Sequence, residues 1–154
     1  MRLDLWGPPV AWTAVILWLA SDAGSAEQTS RLILPMLRAL LPGASPEQLA
    51  TLHVLLRKAA HFVEYALLAW LWGRALVVGR GIAPRSAAVS AWAMATACAA
   101  IDESVQAWHP SRVGSVGDVL IDTAGALAAA GWWWRRPTPS VADRGCPAAR
   151  HRTG

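Results

Sequence analysis

Four apolar stretches constrain this chain more than anything else in it: Leu5 to Ala20, a run centred on Phe62 to Trp72, Ala87 to Ile101, and Val116 to Trp134. Each is shorter than the ~20 apolar residues that carry a helix across a bilayer core, so the polar residues flanking each run must lie in the interface or face inward. None alternates with period two over a useful length, which argues against lipid-facing barrel strands. A soluble domain of 154 residues could bury a sizeable core, but the composition points elsewhere: 55% hydrophobic, 16% charged, mean hydropathy +0.32. Ten of the aromatic residues are Trp, an indole that favours the membrane–water boundary because one edge is apolar and the other donates a hydrogen bond. The expected fold is an all-α membrane protein, a bundle of about four transmembrane helices.

The connecting segments agree with that expectation. Met1-Arg2, an apolar core and the small residues Ala23-Gly24-Ser25-Ala26 resemble a secretory signal, whereas Pro8-Pro9 and three Trp fit a retained span; the retained span is the favoured reading. From Arg31 to Leu41 the chain is apolar with a basic edge, as in a short helix lying in the interface. Ser45-Pro46-Glu47-Gln48 reads as a helix start, with an N-cap Ser, Pro at the first position and Gln at the third. Leu49, Leu52 and Leu56 continue one face into the second span, and Gly79 to Arg85 is a short turn rich in breakers.

The net charge of +4 lies in the segment from Arg135 onward, where five Arg (135, 136, 144, 150, 152) face one acid, Asp143. The remainder is balanced and has no basic stripe, so nucleic-acid binding is not expected. Residues 137–154 are expected to form a disordered Arg- and Pro-rich cytoplasmic tail, leaving 1–136 as the transmembrane domain. With both termini inside, the inner face carries Arg2, Arg74, Arg80, Arg85 and the tail Arg, against Arg31, Arg38, Arg57, Lys58 and Arg112 outside. This fits a multi-pass protein of the cytoplasmic membrane. Cys98 sits in an apolar run and Cys146 in the tail, neither beside a Cys or His at ligand spacing, so both are read as inert.

The polar residues that interrupt the apolar runs are not scattered. The second span begins with Arg57, Lys58, His61, Glu64 and Tyr65; the third ends with Asp102, Glu103 and Gln106; the fourth opens with Arg112, Ser115, Asp118 and Asp122. A charge at the centre of a membrane helix costs about 2.5–3.5 kcal/mol on insertion scales, so each needs a reason. Spacings of three and four put each group on one helix face. Antiparallel connection brings the three groups to one layer, near the outer leaflet. The plainer alternatives are interfacial anchoring for Arg57 and Lys58, and ion pairs that only lock packing for Glu64 and Asp122. Gly125, Ala126, Ala128, Ala129 and Gly131 read as small residues that let helices approach, and Trp132 to Arg136 as an interface anchor.

Neither a phosphate-binding Gly loop nor a nucleophile elbow is present. A metal site from His61 with Asp102, Glu103 or Asp118 is conceivable, but a single His with several acids is a weak signal and no metal is expected. Catalytic candidates are His61, Glu64, Asp102 and Glu103, as a His–carboxylate base beside a phosphate-clamping Arg. Ser115 is the one nearby hydroxyl nucleophile, with nothing around it that marks activation.

Lys58-x-x-His61-Phe62-x-Glu64-Tyr65 and Asp102-Glu103-x-x-Gln106-x-Trp108-x-Pro110-x-Arg112-x-x-Ser115-x-x-Asp118-Val119-x-x-Asp122-x-x-Gly125 together resemble the VanZ-like family. These are small bacterial membrane proteins named after an accessory protein of teicoplanin resistance. The resemblance spans residues 8 to 134. By position it implies Lys58, His61, Glu64, Tyr65, Asp102, Glu103, Gln106, Arg112, Ser115, Asp118 and Asp122 as the family's characteristic polar residues. The chain departs in having Trp108 where the family usually has Phe, and Ala129 rather than Gly four residues after Gly125.

The function expected first is binding of an anionic, phosphate-bearing lipid or cell-wall precursor at the outer leaflet, with a link to glycopeptide resistance. Arg57, Lys58 and Arg112 would meet the phosphate, and the acids would orient them or recognise sugar or amine groups. The alternative is a membrane-embedded lipid-modifying hydrolase or transferase. A purely structural role and proton-coupled transport stand behind these two. Membrane lipids are the expected partners, oligomerisation stays open, and the sequence names no cofactor.

Overall fold

The computed structural model describes residues 3–20, 26–108 and 115–138. Within them are five helices and no strands: α1 (Leu3–Leu19), α2 (Ala26–Leu40), α3 (Pro46–Arg74), α4 (Pro84–Trp108) and α5 (Val116–Trp134). Ala23 to Ser25, Arg112 and the tail beyond 138, with Cys146, lie outside the described residues.

The start at Ser45 forms as its sequence dictates. Ser45 Oγ accepts from the Gln48 N–H at 3.3 Å, Gln48 Oε1 accepts from the Ser45 N–H at 2.8 Å, and Pro46 sits where a helix has no use for an N–H. From there α3 runs unbroken to Arg74 and passes into a π-helical turn, Ala75–Gly79. The chain reverses at Gly81, whose φ of +66° is in the left-handed region, and α4 begins at Pro84. In α1, Pro8 has no N–H to offer the carbonyl four residues before it; Arg74 Nη1 stands 3.5 Å from that oxygen, on Asp4.

The contacts fix the directions of the helices. Lys58 meets Asp118, His61 meets Asp122, and the Trp133 indole donates to Trp70 O at 3.3 Å, so α3 and α5 run parallel. Tyr65 meets Asp102, while Ala88 packs with Trp133 at the other end, so α4 runs antiparallel to both. α1 is antiparallel to α3, with Trp12 against Glu64 and Trp6 against Trp72 and Gly79. Four helices therefore alternate in direction, and α2 lies beside α3.

The packing is small inside and large outside. Ala69, Ala95, Ala99 and Ala126 are fully buried around Tyr65 and Leu68, and Ala87 and Ala91 are fully buried further along α4, while Val10, Trp18, Val63, Val89, Leu120 and Leu127 are exposed. Gly125 shows why small residues hold this core: a Cβ there would run into the Phe62 carbonyl. α2 exposes Leu32, Met36 and Leu40 as one stripe, as expected of a helix lying on an apolar surface.

One helix, the continuous Pro46–Gly79, is long and apolar enough to cross a membrane by length and composition. α1 is apolar but has 17 residues. The all-helical expectation is met, and α1, α3, α4 and α5 alternate in direction, but among the described residues only Pro46–Gly79 has the length and apolarity of a span, so four spans are not shown. The acids at one end of α4 and α5, and the Trp cluster at the other end of α5, dilute their hydropathy.

Candidate functional site

The described members of the three polar groups converge at one end of α3, α4 and α5. Lys58 Nζ donates to Asp118 Oδ1 at 2.7 Å, with both side chains partly exposed. One turn further along both helices, His61 Nδ1 stands 3.2 Å from Oδ1 of the fully buried Asp122. Neither atom has a hydrogen-bond partner among the described residues, so the two stand as a close polar contact. Tyr65, fully buried, donates its hydroxyl to Asp102 Oδ2 at 3.0 Å, and Gln106 Nε2 donates to Asp102 Oδ1 at 3.0 Å. Glu103 Oε2 accepts from the Ser115 N–H at 2.6 Å. Ser115 therefore serves through its backbone; its hydroxyl makes no capping bond.

The i, i+4 pair Asp102 and Gln106 explains part of this order, since the Gln amide is carried on the same face as the carboxylate it holds. The rest depends on register. Asp118 and Asp122 share a stripe on α5, but the parallel pairing with α3 gives Asp118 to Lys58 at the rim and Asp122 to His61 inside. Asp118 is thus not the acid that joins His61, as the sequence allowed. His61, Asp102, Glu103 and Asp122 instead form the compact group, each able to place one ligand atom within 4.8 Å of the others. Among the described residues this is a donor set a cation could use.

Arg57 and Glu64 face a different side of α3. With His61, Asp102 and Gln106 they line a cavity of about 150 Å³ whose α1 and α2 side is mostly apolar, from Ile16, Leu19 and Ile33, with Thr29 the polar exception, while Leu56 adds apolar surface on the α3 side. Arg57 Nη1 donates to Thr29 Oγ1 at 3.3 Å, and Thr29 also stands 3.5 Å from Nε2 of buried His53. Thr29 escapes sequence reasoning because no polar residue on its own helix stands at helical spacing from it; His53 has Arg57 four residues on in α3, a spacing that could have drawn it into the polar face. Arg112, expected here, lies outside the described residues.

At the other end of the bundle the cations stack on indoles: Arg80 over Trp6 at 5.5 Å, Arg85 over Trp134 at 5.6 Å and Arg136 over Trp132 at 3.9 Å. The molecule is therefore polar in two distinct ways: acids and a His within one end, Arg on Trp around the other.

Among comparisons with known proteins, the family model described as VanZ/LLP1 matches residues 9–136. No curated protein and no solved structure gives a match. The matched span takes in all the converging polar residues and most of the helical bundle, and the chain belongs to the VanZ/LLP1 family.

Proposed function

We propose that this protein crosses the cytoplasmic membrane of a bacterium four times and receives, in the cavity between α1, α2, α3 and α4, the polar head of an anionic amphiphile. The observation that carries the reading is the two-faced cavity: Arg57, His61, Glu64, Asp102 and Gln106 from α3 and α4, facing Ile16, Leu19 and Ile33 from α1 and α2. An amphiphile needs such a boundary, with its chain against the apolar wall and its head against the polar one.

The small-inside, large-outside packing supports the membrane placement, because lipid supplies the apolar surroundings for the exposed Val, Leu and Trp. The Arg–Trp end fits the cytoplasmic interface, by the bias of basic residues to that side and of Trp to the boundary. The acid-rich end then lies in the outer leaflet. Arg57 carries five donors in a planar fork and suits a phosphate at the rim. The carboxylates deeper in repel a bare anion and suit hydroxyl or amine groups of the head. A phosphate-bearing lipid or cell-wall precursor has both features, and such a ligand connects with the teicoplanin resistance of the family's namesake.

A second reading, hydrolysis or transfer on such a lipid, is favoured by the 3.2 Å approach of His61 to Asp122, the arrangement of a positioned general base. Native mass spectrometry of the detergent-extracted protein separates these ideas. Wild type is expected to retain a phosphate-bearing lipid that Arg57→Gln and His61→Ala lose. Folded variants that keep the same lipid load would overturn the binding reading, and conversion of the retained lipid over time would establish the enzymatic one.

A further inference from the structure

We infer that His61, Asp102, Glu103 and Asp122 form a binding site for one divalent transition-metal ion of the Mn²⁺ or Zn²⁺ type. Two independent observations point there. The first is geometric: one imidazole nitrogen and three carboxylate oxygens lie within 4.8 Å of one another. Around an octahedral ion at about 2.1–2.2 Å, opposite ligands stand roughly 4.3 Å apart and adjacent ones roughly 3.0 Å, so the four groups are gathered near one ion's reach and would draw inward on binding it.

The second observation is what these side chains lack. Asp122 is 0% exposed, and neither of its carboxylate oxygens has a hydrogen-bond partner among the described residues; Glu103 is 6% exposed and its Oε1 is likewise unpartnered. Buried carboxylate oxygens left without donors are costly, and Asp122 has two of them and Glu103 one beside a single imidazole. Lys58 does not help, since its ammonium is committed to Asp118 outside the group.

The bonds that do exist are those a metal site uses to aim its ligands. Tyr65 and Gln106 hold the two oxygens of Asp102, and the Ser115 N–H holds Oε2 of Glu103 while Oε1 is left for an ion. A carboxylate oxygen that accepts one such bond keeps a second lone pair. One nitrogen and three oxygen donors suit Mn²⁺ or Zn²⁺ better than Mg²⁺, which holds on to its waters. His61 and Asp102 also line the cavity, so an ion here would be open to a ligand from that side. This inference stands apart from the lipid reading: an ion can bind with no amphiphile present.

The test is metal content and calorimetric titration of the purified full-length protein in detergent, after chelation and dialysis, with MnCl₂ and ZnCl₂ as probes and lipid content measured in the same samples. Wild type is expected to take up one equivalent and to melt several degrees higher with the ion than in chelator. His61→Ala and Asp122→Asn are expected to weaken uptake by about tenfold or more, while Asp118→Asn, at the Lys58 pair, keeps it. Should Asp122→Asn fail to fold, the wild-type titration decides alone. Uptake well below one equivalent with a melt indifferent to chelator would overturn the proposal, as would equal loss in Asp118→Asn.

Discussion

His61 and Asp122 meet at 3.2 Å inside the bundle, one helical turn beyond the Lys58–Asp118 pair at its rim. The two contacts look alike on paper and differ in surroundings. Lys58 and Asp118 are 42% and 25% exposed at their side chains, where an ion pair is worth up to about 1 kcal/mol. Asp122 has no exposure at all, and removing its neighbour leaves a buried carboxylate alone. Thermal unfolding in detergent should therefore rank the variants: Lys58→Met costs less than about 1 kcal/mol, and His61→Ala about 2 kcal/mol or more. Equal costs would contradict the depth assigned to the His61 contact.

Tyr65 is buried to the last atom and spends its hydroxyl on Asp102. Tyr65→Phe keeps the ring in its core and removes one of two donors to that carboxylate. The expected loss is about 1–3 kcal/mol, read by the same unfolding measurement, with secondary structure by circular dichroism unchanged. A variant as stable as wild type would mean that the Asp102 carboxylate is not held by this bond.

Gly125 and Gly131 lie on one helix and face different things. A Cβ at Gly125 would collide with the Phe62 carbonyl, whereas one at Gly131 meets nothing within 4 Å. Gly125→Ala should push α5 off α3 and cost about 1–3 kcal/mol. Gly131→Ala should be neutral or stabilise by up to about 1 kcal/mol through helix propensity. The reverse order would show that α3 and α5 are not packed as described.

These contrasts also mark what the sequence could and could not disclose. The polar faces of α3, α4 and α5 are legible because spacings of three and four leave little choice of helix face, and the cap at Ser45 is legible because its partners are local. Hydropathy alone sees only the part of α3 after Arg57, Lys58, His61 and Glu64, but the Ser45 cap and the Leu49, Leu52 and Leu56 face make its earlier turns legible as well. The choice between Asp118 and Asp122 for His61 is a matter of register between two helices nearly sixty residues apart in the chain. The cavity depends on how α1 and α2 pack against Arg57 and Glu64, and nothing at Thr29 announces that.

The most direct measurement of the central claim is photo-crosslinking in membranes with a phosphate-bearing lipid that carries a photoreactive group near its head, followed by mapping of the labelled peptides. Labelling should concentrate on the peptide spanning Leu56 to Glu64, which lines the cavity, and should fall several-fold in Arg57→Gln. Labelling spread evenly over the exposed apolar faces of all the helices, and indifferent to Arg57→Gln, would contradict it.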